Sequence, residues 1–189
     1  MKQSNRNDQV RKKIARLQQG HAPRVLDLFA GCGGISLGFQ AAGFSIDAAI
    51  EVDEIAARTH ALNFHGHLGS EASAAHATAR DIAQCEPDEL TAALGLGKAA
   101  EAFDVVVGGP PCQAYARVGR AKLREVADHP AAFKVDPRGN LYLRYIHYVK
   151  ATKPLAILME NVPDVLNYGG HNVMGEIAEV LSDIGYDCR

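Results

Sequence analysis

An apolar run at residues 24–29, a glycine turn and a helix-patterned segment at 35–42 lead straight into a second apolar run at 45–51. That order reads strand, helix, strand, and a helix-sized link between two buried strands makes them neighbours in a parallel sheet. Residues 53–64 predict the next helix. The Ala-rich stretch 70–79 leads to Arg80-Asp81-Ile82, which reads as the end of a third strand, and 88–100 reads as one helix. A strand at 103–107, a helix at 140–150, a strand at 155–159 and a helix at 173–184 closed by Gly185 complete the pattern. Strands alternating with helices at this spacing predict an α/β fold with a Rossmann-like, doubly wound, mostly parallel sheet. Ligands of such sheets bind at the carboxyl ends of the strands.

A chain of 189 residues, 47% of them hydrophobic, is long enough for one α/β domain with a core of its own. No apolar run approaches the ~20 residues of a membrane span, and the charged amino terminus lacks the apolar centre of a signal peptide. A cytoplasmic protein without a membrane partner is the expectation. Cys32, Cys85, Cys112 and Cys188 show no paired spacing, so they read as free thiols. The net charge of −2 conceals a basic start: Lys2, Arg6, Arg11, Lys12, Lys13 and Arg16 face only Asp8. Residues 1–20 therefore read as a basic helical arm, with Val10, Ile14 and Leu17 as a stripe that docks on residues 21–189. It is either a capping helix or a phosphate-contacting arm.

The candidate chemistry falls at strand ends. Asp27-Leu28-Phe29-Ala30-Gly31-Cys32-Gly33-Gly34 lets backbone approach a ligand at a helix start, the logic of a nucleotide site. Glu51, about twenty positions on at the end of the second strand, can accept both hydroxyls of a ribose. The spacing departs from GxGxxG and Phe29 offers an apolar face, which fits a cofactor without phosphates better than a dinucleotide. In Gly108-Gly109-Pro110-Pro111-Cys112-Gln113, two prolines stiffen a turn that presents a thiol, the mark of a nucleophile. Glu160, at the end of the apolar strand 155–159, is expected to be partly desolvated and able to share a proton. Arg117, Arg120, Lys122 and Arg124 form a second basic patch beside Cys112. His60, His65 and His67, with Cys85, read as solvated side chains, and no metal is expected.

Taken together, Phe29-Ala30-Gly31 with its glycines, Glu51, Asp81, Pro111-Cys112-Gln113, 136–141 (DPRGNL) and Glu160-Asn161-Val162 resemble, in order and spacing, the cytosine carbon-5 DNA methyltransferases. The resemblance covers residues 24–189 and is carried by the combination, since no single element is specific.

The resemblance implies an enzyme that transfers a methyl group from S-adenosyl-L-methionine to carbon 5 of cytosine in double-stranded DNA. It places Phe29, Ala30, Gly31, Gly33, Gly34, Glu51, Val52, Asp81, Ile82, Pro110 and Leu141 around the cofactor. Cys112 would add to carbon 6 of an extruded cytosine while Glu160 serves ring nitrogen 3, and Gln113, Arg117, Arg120, Lys122 and Arg124 would meet DNA. Ala116 stands where the family usually has serine. The family continues past the region matched here with a Gln-x-Arg-x-Arg segment, a target-recognition region and a final helix. A partial, C-terminally incomplete catalytic domain is therefore expected, one that needs a second polypeptide or its missing part and that belongs with restriction-modification enzymes. Two alternatives stay open: a transfer-RNA cytosine methyltransferase of the same fold, and a catalytically idle subunit that binds DNA or a partner.

Overall fold

In the computed structural model, residues 2–111, 141–161 and 172–189 are described. The described residues fall into two compact units, one within 1–109 and 148–159, the other within 110–147 and 160–189. The first unit is built on a sheet of four strands, β1 (Arg24–Leu28), β2 (Ser45–Ile50), β3 (Val105–Gly108) and β4 (Ala156–Met159), in the order β2-β1-β3-β4. Every pairing is parallel. The chain runs outward from β1 to β2 and then returns past β1 to β3, so the direction of winding reverses between β1 and β3. That reversal is where open α/β sheets bind ligands.

Helices connect the strands: α1 (Lys2–Gln18), α2 (Gly34–Ala41), α3 (Glu54–His65), α4 (Ser70–Ala77), α5 (Pro87–Ala93), α6 (Ala99–Ala102), α7 (Leu141–Thr152) and α8 (Val173–Asp183). The α/β reading and the parallel sheet agree with the sequence. β1 and β3 are buried on both faces, as strands flanked by neighbours and helices must be, and Val25, Ile46, Phe64, Val105 and Val107 pack as one apolar cluster. In the second unit α8 buries Ile177, Val180 and Leu181.

Two predicted elements take another form. Residues 80–82 are not a strand, because Asp81 captures the backbone: its carboxylate accepts from Ala83 N at 2.8 Å and its carbonyl accepts from Gln84 N and Cys85 N. Side-chain capture of this kind competes with a sheet ladder. The single helix expected over 88–100 is two, α5 and α6, separated where Gly95 and Gly97 adopt φ of 68° and 78°. A left-handed residue ends a helix, and glycine takes that conformation without a Cβ clash.

The basic start of the chain forms α1, but polar contacts dock it more than the expected stripe does. Ile14 is 42% exposed. Lys13 is buried instead, its ammonium donating to the carbonyls of Phe103 (2.6 Å), Thr152 (2.7 Å) and Lys153 (2.9 Å). Burial holds the Lys13 pKa down to about 8. Arg16 pairs with the buried carboxylate of Asp104, which also accepts from Arg24 N at 2.7 Å. These partners lie at the amino ends of β1, β3 and β4, so α1 closes the end of the sheet opposite the carboxyl ends of the strands.

The histidines read as solvated divide. His67 is exposed, whereas His60 and His65 are buried on the face of α3 that packs inward. The His65 ring stacks on His76 with centroids 3.6 Å apart, and its Nε2 has no hydrogen-bond partner. Burial first, then the neighbouring charges of His76, His60 and His67, push the His65 pKa down to about 3. A histidine whose folded pKa lies below its unfolded value costs nothing above about pH 6.5, and stability is lost as pH falls from there towards the folded value. His65→Phe is therefore expected to stabilise the protein at pH 5 by on the order of 1–2 kcal/mol more than at pH 7.5. Urea denaturation at the two pH values measures this, and an equal difference at both would rule out the titration as the cause.

Candidate active site

The turn after β1 is held by backbone strain and by its neighbours. Phe29 has φ of 62°, a left-handed conformation that a bulky residue adopts only where its surroundings impose it. Ala30 N donates to Ile50 O at 3.1 Å and Gly33 N to Ala30 O at 2.9 Å, which closes the turn against the end of β2. Gly33, with φ of 99°, sits on the Phe64 ring and His60, where a Cβ would collide. A Cβ at Gly31 or Gly34 would meet no atom within 4 Å. The floor of the turn is packed and its upper side is open, as a cradle for a ligand requires.

Glu51 lies across this turn. One carboxylate oxygen accepts from Gly31 N at 2.8 Å, and the other accepts from Val52 N at 2.8 Å and Asp53 N at 2.9 Å. Three amides fix its direction, and of the roughly four lone-pair sites of a carboxylate they leave about one, on the oxygen that accepts from Gly31 N. Val52 is 67% exposed beside it. Arg80 N donates to Glu51 O at 2.7 Å, which brings Asp81 and the buried Ile82 alongside. The predicted residues Phe29, Ala30, Gly31, Gly33, Gly34, Glu51, Val52, Asp81 and Ile82 thus gather at one end of β1 and β2. Half-buried Asp81 spends its carboxylate on Ala83 N and on Gln84 Nε2 at 3.2 Å.

In the second unit Pro110 is buried, and its carbonyl accepts from Asn161 Nδ2 at 2.8 Å. This bond ties the segment that leads to Cys112 to the one that carries Glu160. Glu160 is exposed, against the expectation of partial desolvation. The reason lies in the preceding strand: β4 is the last strand of the sheet among the described residues, and Leu158 within it is 47% exposed. Leu141 is the half-buried first residue of α7. Cys112, Gln113, Arg117, Arg120, Lys122 and Arg124 lie outside the described residues.

Sequence reasoning missed what lies beneath the glycine turn. Asp27, Ser36 and His60 are each almost wholly buried. Ser36 Oγ donates to Asp27 Oδ2 at 2.6 Å and lies 3.1 Å from His60 Nε2. Burial raises the Asp27 pKa to about 6 against the Ser36 hydrogen bond, and burial lowers that of His60 to about 4. Asn63 Nδ2 donates to Cys32 O at 3.2 Å from the same helix as His60. The available signal was the spacing of His60, Asn63 and Phe64 on one face of a helix.

Residues 23–189 match the family described as C-5 cytosine-specific DNA methylase. A chain designated type II methyltransferase M.OihORF3336P, from Oceanobacillus iheyensis, is 38% identical over 165 residues, which is 87% of this chain and 34% of that one. Type II methyltransferase M.XorII of Xanthomonas oryzae pv. oryzae is 33% identical, over 87% of this chain and 34% of its own length. The chain thus spans about a third of the relatives it matches. Among solved structures, a prophage-encoded DNA modification methyltransferase of E. coli superposes with a TM-score of 0.60 at 27% identity, over 86% of this chain and 38% of that one. The S. pombe Dnmt2 methyltransferase shares the fold, with a TM-score of 0.57 at 22% identity over 88% of this chain and 42% of its own.

Proposed function

From the premise that this chain belongs to the C-5 cytosine-specific DNA methylase family, we propose that it is the cofactor-binding and nucleophile-bearing part of an enzyme that methylates carbon 5 of cytosine in DNA. The observation that carries the proposal is the open glycine turn faced by Glu51, with three amides fixing that carboxylate.

S-adenosyl-L-methionine fits this cradle, and when bound it supplies an electrophilic methyl group. Glu51 would accept from the ribose at the lone-pair site its amide partners leave free, on the oxygen that faces Gly31 N. Val52 and Ile82 would flank the adenine, Asp81 would lie at its edge, and Phe29 with Ala30, Gly31, Gly33 and Gly34 would line the remainder. Pro110 and Leu141 complete the proposed set. The absence of a Cβ at Gly31 and Gly34 leaves room for the ligand against backbone, and a side chain there would occupy it.

Cys112 acts as the nucleophile. A ring carbon of a stacked base is out of reach, so the target cytosine must leave the duplex. The thiolate adds to carbon 6, which makes carbon 5 nucleophilic; loss of the carbon 5 proton after methylation and elimination of the thiolate then restore the enzyme. Glu160 serves ring nitrogen 3, and its exposure leaves the carboxyl accessible to an incoming base. Gln113, Arg117, Arg120, Lys122 and Arg124 would face the DNA, the cations by phosphate contacts that hold position without reading sequence. Target recognition would come from a region beyond the part matched here, in the same or a second polypeptide, and the division into an arm at 1–20 and a catalytic part at 21–189 follows the same reading.

The test is a duplex carrying 5-fluorocytosine, which lacks the carbon 5 proton that elimination needs, offered with cofactor to this chain together with its recognition region. A covalent complex mapped by mass spectrometry to Cys112 is the expected result. Capture on structured RNA and not on duplex DNA would move the assignment to RNA, and absence of any adduct despite DNA binding would make the chain an idle binding subunit.

A further inference from the structure

Three elements meet beneath the glycine turn: the end of β1 through Asp27, the first turn of α2 through Ser36, and α3 through His60. From this geometry we infer that Asp27, Ser36 and His60 form a buried polar brace that sets the shape of the 29–33 turn and thereby the affinity of the site above it. The three are positioning residues, sealed from any ligand by their burial.

The hydrogen bonds have one consistent direction. Ser36 Oγ has a single proton and gives it to Asp27 Oδ2 at 2.6 Å. The contact at 3.1 Å from His60 Nε2 to Ser36 Oγ must then be donated by the imidazole. That fixes the Nε2–H tautomer, in keeping with a ring that burial keeps neutral. The brace therefore runs from α3 through α2 to β1.

Its position gives it a role that a polar core cluster elsewhere would lack. Gly33, the residue that caps α2, makes no side-chain capping bond to its first turn. Ser36, three residues in, anchors that turn from inside. His60 Cδ2 would lie 3.1 Å from a Cβ on Gly33, so the ring also forms the floor on which the left-handed glycine rests, with Phe64 tilted beside it at 4.6 Å between centroids. Asn63, on the same helix, holds Cys32 O at 3.2 Å. The cost is visible too: Asp27 Oδ1 is buried without a hydrogen-bond partner. A buried carboxylate left partly unsatisfied is destabilising against an apolar core, so its presence calls for a compensating function, and geometry at the adjoining turn supplies one. The charged and titratable groups acting on the brace are Glu51 on Asp27, and His76 with Glu51 on His60.

The inference deepens the cofactor reading and rests on it only for the last step. The experiment uses the chain in three forms: wild type, His60→Phe, which keeps a ring but removes the donor, and His60→Gln, which returns an N–H near the position of Nε2. Amide hydrogen exchange is read at Gly31 and Gly33, whose N–H groups bond Glu51 and Ala30, with the buried amides of Ile146 and Val149 in α7 as the control for global stability. Binding of S-adenosylhomocysteine is read by calorimetry. His60→Phe is expected to speed exchange at Gly31 and Gly33 by about tenfold or more relative to the α7 control and to weaken ligand binding by a similar factor, with His60→Gln recovering most of both. Ser36→Ala supplies the second break in the same chain of bonds and should match His60→Phe.

Exchange at Gly31 and Gly33 that stays at the wild-type rate in both breaking variants, or moves only in step with the α7 control, would overturn the inference. So would a failure of His60→Gln to recover what His60→Phe loses. If wild type binds no ligand while the exchange pattern comes out as expected, the cofactor reading fails and the brace stands.

Discussion

Cys112→Ala is expected to abolish methyl transfer by the enzyme complete with its recognition region, lowering turnover by at least about a thousand-fold. Cofactor and duplex binding should stay within about threefold of wild type, since a small side chain is removed from a site whose ligand contacts lie elsewhere. The size of the effect follows from what the thiolate does. Without addition to carbon 6, carbon 5 of cytosine is part of an electron-poor ring with little tendency to attack an electrophilic methyl group, and no neighbouring side chain can substitute for a covalent bond. Transfer of labelled methyl groups to duplex DNA measures the loss, and turnover by Cys112→Ala within tenfold of wild type would remove the nucleophile from the proposal.

The largest loss of stability is expected from a residue far from the chemistry. Asp104 is wholly buried, accepts from Arg24 N at 2.7 Å, pairs with Arg16, and lies 3.5 Å from Arg24 Nε. Its backbone works equally hard: its N–H donates to Arg24 O at 2.8 Å and its carbonyl accepts from Leu155 N at 2.7 Å, so one residue joins the starts of β1, β3 and β4. Asp104→Ala leaves two guanidinium groups partly buried without their counter-charge, and the Nε of each already lacks a hydrogen-bond partner. Removing one side of a buried pair costs about 3–5 kcal/mol, much of the stability of an ordinary domain. Urea denaturation should show that loss, with Asp104→Asn intermediate because it can still accept from Arg24 N. A loss below about 1 kcal/mol would mean that solvent reaches the arginines and that the pair is a surface one.

The parts of this fold that the sequence revealed are those punctuated by glycine. β1, α2, β2 and α3 fall within a residue or two of their predicted limits, because Gly31 to Gly34 and Gly43 mark where strand gives way to helix and helix to strand. The failures have local causes. Asp81 turns a short apolar-looking segment into a turn, and Gly95 and Gly97 split an Ala-rich stretch whose helical tendency is otherwise uniform. Glu51 was legible from its distance to the glycine turn, a separation that the βαβ geometry fixes. Ser36 and His60 were not, since pattern reading assigns a polar side chain to the surface, and only packing of α2 and α3 reveals that these two face inward. The exposure of Glu160 was equally hidden, because whether an apolar strand is central or marginal depends on sheet order, which a local pattern does not encode. Lys13 is the sharpest case: a cation within a basic cluster gave no sign that its head would be inserted among three carbonyls.

That inserted lysine also settles where a reporter group can be attached. Because α1 precedes the stretch that matches the family and is fastened at the amino ends of the strands, a fluorophore placed at the exposed Ala15 would ride on a firm mount within the first unit, on the side away from the glycine turn. Its signal would report on the first unit while leaving the glycine turn unobstructed.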